Sequence, residues 1–217
     1  MIKNARWPLG LALSFLLVTA GCVGVLTGNE PLTFEATPVT VAPAALEETG
    51  YEQSRTDTNQ LNREFSVAGQ TREVEVTNHI AEYARTVDAG PLGSEDLARF
   101  IVVSTPALEI LDRTFNPVAE MSNRQLVEQV QDRYEGLQNV QSQSERTVSV
   151  LGTSATVSVF SAEATLEGTD QTIDLTLHVT RFRHGEDFII AIGAHPAILD
   201  GEPRNVDRLL KGLRHDA

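Results

Sequence analysis

Hydrophobic and polar residues alternate with period two over long stretches of this chain and fall into helical stripes at only a few places. Leu32 to Val41 (LTFEATPVTV) alternates loosely and predicts a first strand. Pro43 opens PAALEETG, a short helix with Gly50 as its stop. Tyr51 to Val67 is polar with intermittent apolar positions and reads as extended. In Asn78 to Val87, Ile80, Tyr83, Ala84 and Val87 suit a helix, while continuation from the preceding hairpin suits a strand, the reading adopted. Ile173, Leu175, Leu177 and Val179 alternate with Asp174, Thr176, His178 and Thr180, which predicts a strand with one buried and one polar face. Arg183-His184-Gly185-Glu186-Asp187 is the turn that follows it.

Two stripes have helical spacing. Leu126, Val127, Val130, Tyr134 and Leu137 predict a helix from Ser122 to Leu137, with Ser122 and Gln125 forming a capping box. Val206, Leu209, Leu210 and Leu213 predict a second, from about Asn205 to Leu213. The order of elements also repeats. Ser66 to Val76 and Ser149 to Val159 share the frame S-V-x-G-x-(T/S)-x-x-V-x-V, a hairpin turning at Gly69 and Gly152. The apolar strands Phe100–Ala107 and Ile189–Ala197 each end in Pro-Ala, and each half finishes in an amphipathic helix. Duplication of a hairpin-strand-helix unit and coincidence between hydrophobic hairpins both account for the match. Either way the fold class is α+β, an antiparallel β-sheet covered by amphipathic helices.

The first residues follow a different pattern. Lys3 and Arg6 precede an apolar core from Trp7 to Ala20, which at helical rise spans roughly 20 Å against the ~30 Å of a bilayer interior. That is a signal peptide (residues 1–21) and not a spanning helix. It closes on Leu16-Leu17-Val18-Thr19-Ala20-Gly21-Cys22, and Cys22 is the only cysteine in the chain. The run resembles the lipobox of envelope lipoproteins, with Thr19 where Leu or Val is usual. The resemblance implies that Cys22 carries a lipid at the new N-terminus. An ordinary cut near Gly21 would instead leave Cys22 as a stray thiol. Residues 22–31 (CVGVLTGNEP) would form a short tether, and residues 32–217 a single ectodomain at the outer face of the cell membrane.

Charge then narrows the partners. The chain has 30 acidic residues against 17 Lys and Arg, a formal net charge of −13, and only Lys3 and Lys211 are lysines. Few lysines, many carboxylates and few large aromatics match proteins that stay soluble in concentrated salt, where the Debye length shrinks to ~3 Å. A merely acidic secreted domain is the other reading. Either argues against nucleic acid, which needs basic patches, and against anionic lipid surfaces reached without a covalent anchor.

Candidate chemistry is sparse. No nucleophile elbow, zinc-protease motif, phosphate loop, dinucleotide fingerprint or calcium loop occurs in the sequence. Five histidines are present: His79, His178, His184, His195 and His215. His178, His184 and His195 occupy consecutive segments and could in principle hold a metal. The favoured reading is a polar strand face, a turn and a strand end, with His178 and His195 at opposite ends of their hairpin. Asp174 and His178, four apart on a strand, lie ~13 Å apart and make no dyad. Acidic pairs such as Glu47-Glu48 and Glu186-Asp187 read as solvated surface. Loops Asp88–Gly93 and Arg113–Val118 mix Gly or Pro with apolar side chains, and Phe115 reads as a plug at the core edge or as the rim of a partner groove. No catalytic residue, cofactor or metal site is expected.

Several longer motifs carry a family resemblance. They are Val25 to Ala36, Glu48 to Tyr51, Arg72 to Asn78, Asp88 to Gly93, Ser104 to Pro106, Phe115 to Ser122 and Leu177 to Thr180. Together with the lipobox they resemble an uncharacterised family of haloarchaeal membrane lipoproteins. The resemblance implies an archaeal, salt-adapted, tethered protein and carries no activity. The strand-rich body with a late amphipathic helix is also similar to the PsbP-like α/β/α sandwiches, a likeness of fold that licenses no function. The resulting expectation is a non-catalytic module that binds an envelope protein or small ligand, fastened to the membrane through its lipid. The alternative is an envelope enzyme whose site joins His178, His195 and nearby carboxylates.

Overall fold

The computed structural model describes residues 31–67, 70–88, 94–110, 113–114, 116–133, 136–165 and 171–216. The chain divides into two compact units, one of Met1–Thr33 with Asn62–Glu75 and one of Phe34–Leu61 with Val76–Ala217. In the first, the described residues apart from Pro31 belong to strands, and Val74 is buried.

The described elements in chain order are β1 (Leu32–Glu35), β2 (Val39–Val41), α1 (Pro43–Thr49), β3 (Glu52–Val67), β4 (Gln70–Asp88), β5 (Ser94–Pro106), β6 (Glu109–Ile110) and β7 (Arg113–Thr114). A 3₁₀ turn (Pro117–Glu120), α2 (Asn123–Arg133), β8 (Leu137–Val150), β9 (Thr153–Thr165), β10 (Thr172–His184), β11 (Asp187–Pro196), α3 (Glu202–Lys211) and β12 (Leu213–His215) follow. The fold is α+β and mainly sheet, with few helices among the described residues. The principal sheet has the order β1-β4-β5-β11-β10-β9-β8, and β3 also pairs with β4.

Local chemistry explains most of the boundaries. Gly50 takes the left-handed conformation (φ 69°) and its N–H closes α1 on the Leu46 carbonyl at 2.8 Å. Gln125 Oε1 accepts from the Ser122 N–H at 2.8 Å while Ser122 Oγ accepts from the Gln125 N–H at 3.2 Å, the reciprocal capping box at the start of α2. Leu151 and Gly152 both have positive φ (49° and 73°), which a two-residue hairpin between right-twisted strands requires.

The alternation of β11 feeds two apolar clusters. Ile189 and Ala191 join Phe100, Val157 and Phe182 with Val206, Leu209 and Leu210 of α3. Ile190 and Ile192 join Phe160, Leu177 and Val179 with Leu126 and Val127 of α2. Gly193 is the point of closest approach, since a Cβ there would sit 2.8 Å from Val206 Cγ2.

Four expectations change. The first strand is two, because Thr37, just before Pro38, donates its N–H to Asp187 Oδ2 at 2.9 Å instead of to a ladder. Leu137 opens β8 and Leu213 opens β12, so both stripes lose their last member to a strand; Tyr134 lies outside the described residues. The α3 helix begins at Glu202, with Pro203 in its first turn. Strand β10 has no polar face over His178–Thr180, where both residues are buried. The matched strands β5 and β11 pair with each other antiparallel, but the halves are not equivalent: β4 neighbours β5 directly, whereas β10 stands between β9 and β11.

Candidate functional site: two histidine pairs

The two-residue turn Gly185–Glu186 fixes the β10–β11 register, with His178 opposite Gly193 and Thr176 opposite His195. Residues opposite each other share a face, so His178 and His195 are diagonal neighbours on the same side. Gly193 leaves the space between them unfilled by a side chain of its own. The rings stack with centroids 5.2 Å apart, and the two Nε2 atoms are 3.0 Å apart. The expected separation to opposite ends of the hairpin is therefore wrong: it ignored the register that the turn imposes.

The tautomers follow from the partners. His195 Nδ1 lies 2.9 Å from the Pro196 carbonyl, which only accepts, so Nδ1 carries the proton. His195 Nε2 then accepts from His178 Nε2–H, and His178 Nδ1 accepts from Arg146 Nη1 at 3.1 Å. Arg146 is held in turn by Asp207 of α3, with Nη2–Oδ1 at 2.6 Å. Both imidazoles are neutral in this chain. Burial, then the Arg146 charge, then His195 push the His178 pKa down to about 3. His195 is pushed down too, chiefly by burial; the Pro196 carbonyl and Glu202 oppose this and Arg85 adds to it.

A second group of polar side chains lies at the start of α3. Glu202 is fully buried and accepts from Tyr51 Oη at 2.7 Å, from Asn205 Nδ2 at 2.9 Å and from Arg85. Burial, reinforced by the Glu202 carboxylate, pushes the Tyr51 hydroxyl far above its ordinary range. A buried carboxylate needs such partners, because an unpaired one costs several kcal/mol. Tyr83 Oη accepts from the Val41 N–H at 2.9 Å, which ties β2 to the sheet.

The other histidine pair is assembled from the β10–β11 turn and β12. Buried Asp187 accepts from the Thr37 N–H and from His215 Nε2 at 3.0 Å. His215 Nδ1 faces His184 Nδ1 at 2.8 Å, with ring centroids 5.1 Å apart, so one of the two nitrogens donates and the other accepts. His184 thus pairs with His215 and not with His178 and His195. Among the described residues no group of three or more His, Cys, Asp and Glu side chains could hold a metal ion. His79 lies apart from both pairs, near Glu35 Oε1 at 3.2 Å.

Cys22, residues 89–93 and Phe115 lie outside the described residues. Asn116, in the second singled-out loop, is buried, donates to the Pro106 carbonyl at 2.6 Å and caps the 3₁₀ turn through the Val118 N–H at 2.9 Å. Among the described residues, open grooves that face solvent include two. One, of about 380 Å³, is lined by Asn123, Ser142, Gln143, Ser144, Glu145 and Ser158 among others; the second, of about 450 Å³, includes Thr56, Asp57, Thr58 and His79. Neither is lined by a member of the two histidine pairs. The sequence reasoning missed Tyr51, Arg85, Arg146, Asp187, Glu202, Asp207 and His215. His178 and His195 were named in advance; only their meeting was not, and for that a signal was available, the register counted outward from Gly185.

A profile for a domain of unknown function, DUF6517, matches residues 38–214. The chain belongs to the DUF6517 family. The matched span contains both members of the buried pair and all of the Glu202 network, and ends one residue before His215. No curated protein matches the chain. Among solved structures, a protein of unknown function from Pseudomonas aeruginosa is similar at 14% identity over 66% of this chain and 90% of that one, with a TM-score of 0.32. At that distance the DUF6517 domain has to be understood from its own residues.

Proposed function

We propose that this DUF6517 protein is a lipid-anchored module at the outer face of a haloarchaeal cell membrane, and that it binds an envelope partner or ligand without transforming it. One observation carries the choice of binding over catalysis. His178 and His195, the groups on which the alternative enzyme reading rests, are 3% and 2% exposed, and each of their four ring nitrogens already faces a partner inside the protein. A general base needs a lone pair within reach of substrate, and this pair offers none.

The anchor is supported by Leu16–Cys22, with an apolar core too short to span a bilayer and a lone cysteine after Ala-Gly. The family match starts at residue 38, which leaves the proposed leader and tether ahead of the shared domain. Among the described residues no helix is long and apolar enough to cross a membrane. Two acyl chains hold a protein durably, each buried CH₂ contributing about 0.8 kcal/mol. The net charge of −13 supports the salt-adapted setting. The same reading takes the fold as an α/β/α sandwich of PsbP type, supported by separate clusters against α3 and α2, with the two long hairpins as remnants of duplicated halves.

The test is Cys22→Ser expressed in a haloarchaeal host. The variant should move from the membrane fraction to the culture fluid. Retention of the variant entirely with membranes would overturn the anchor.

A further inference from the structure

We infer that the edge strand β3 is a self-pairing surface: two copies of this chain join their sheets antiparallel along Glu52–Gln60, about a two-fold axis at Thr56.

The principal sheet has two long outer strands, β8 and β3, and only one of them is blunted. Strand β8 breaks register with β9 between Gln138 and Gln141 and again between Ser142 and Ser144, and Asn139 has a positive φ of 54°. Irregularities of that kind turn an edge away from further pairing. Strand β3 pairs with β4 among the described residues, which leaves its other side open. It runs from Glu52 to Val67 without proline or lysine, residues that commonly guard an edge. Every residue from Glu52 to Asn62 is exposed. The N–H and C=O groups along such an edge are ready to take one more strand.

Charge chooses the occupant and the register. The net charge of −13 opposes contact between two copies over most of their surface. Glu52–Gln60 departs from that balance, because its only charged residues are Glu52, Arg55 and Asp57. A two-fold axis normal to the sheet keeps opposed side chains on one face and sets one residue opposite its own copy. With Thr56 on the axis, Arg55 lies opposite Asp57 of the second copy, and Asp57 opposite its Arg55. The remaining pairs are Ser54 with Thr58, Gln53 with Asn59 and Glu52 with Gln60, and none joins like charges. Centring on Arg55 or on Asp57 instead would set like charges face to face on the axis. Within one chain Arg55 Nη2 already donates to Asp57 Oδ2 at 2.6 Å, and both side chains are exposed. The dimer would therefore gather four alternating charges on one face of the joined sheet.

The experiment uses the full chain, solubilised in detergent at molar KCl, in sedimentation over a concentration series. The unmutated protein should sediment as a dimer that dissociates on dilution. Arg55→Asp and Asp57→Arg should each weaken dimerisation about tenfold, and the two exchanges together should restore it, because a reciprocal pair is indifferent to the swap. Thr56→Cys reads the register. Oxidation should link two copies through it beyond any link formed by the unmutated chain, and Gln60→Cys, which faces Glu52, should add none. All four positions are exposed, and circular dichroism checks that each variant is folded. A monomer at every concentration would leave the edge to a strand of another protein and overturn the inference. So would single exchanges that leave dimerisation unchanged, or linkage through Gln60→Cys in place of Thr56→Cys.

Discussion

Acid should unfold this domain earlier than its carboxylates alone dictate, and His178 is the reason. In the unfolded chain its imidazole takes a proton near pH 6.5; in the folded protein it does so only near pH 3. Between those values the unfolded state binds a proton that the folded state refuses, so stability rises with pH across that window and is lost as pH falls from 6.5 toward 3. Each pH unit below 6.5 costs about 1.4 kcal/mol. By pH 5 the loss from this one residue is about 2 kcal/mol. His195 adds a loss of the same sign. His178→Gln isolates the effect, because glutamine can donate an amide N–H to His195 Nε2 and accept from Arg146 through its carbonyl, yet cannot titrate. The assay is urea unfolding at fixed molar KCl and pH 7, 6 and 5, followed by circular dichroism. The unmutated domain should lose about 2 kcal/mol more than the variant between pH 7 and 5. Equal losses in the two proteins would refute the assignment of His178 as a buried neutral ring.

Tyr51→Phe removes one of the donors to fully buried Glu202 and should destabilise the fold by about 2 kcal/mol, since hydrogen bonds to a buried charge are worth about 1.5–3 kcal/mol. Urea unfolding at pH 7 checks it, and a loss below about 0.5 kcal/mol would show that Arg85 and Asn205 suffice for the carboxylate. Lowering the salt from molar to tens of millimolar lengthens the Debye length from ~3 Å to beyond 10 Å. The thermal midpoint should then fall clearly, and an unchanged midpoint would remove the argument for salt adaptation from the net charge of −13.

What could be read in advance was what local chemistry decides. Pro43 with Gly50 bounded α1, Ser122 with Gln125 started α2, and Gly152 placed the β8–β9 turn. Continuation of the hairpin strand placed Asn78–Val87 in β4, although four of its apolar positions also suit a helix. The misplaced ends have one cause. Leu137 and Leu213 are apolar and buried, so they satisfy a helical stripe and a strand face equally, and tertiary pairing chose the strand. The polar networks depend on contacts between distant segments: Tyr51 meets Glu202 across 151 residues, and Arg85 meets it across 117. No spacing rule reaches that far. His178 and His195 are the exception, since a turn at Gly185–Glu186 already puts residue 195 opposite 176. Taking β10 as half-exposed hid this, because α3 covers the face that the alternation left to solvent.

The claim on which the account of function rests is covalent attachment at one residue. Intact mass spectrometry of the protein extracted from washed haloarchaeal membranes reads it directly. The account predicts a chain beginning at Cys22 and heavier than the bare polypeptide by a thioether-linked lipid. A mature chain with an unmodified Cys22, or one that still carries residues 1–21, would contradict it.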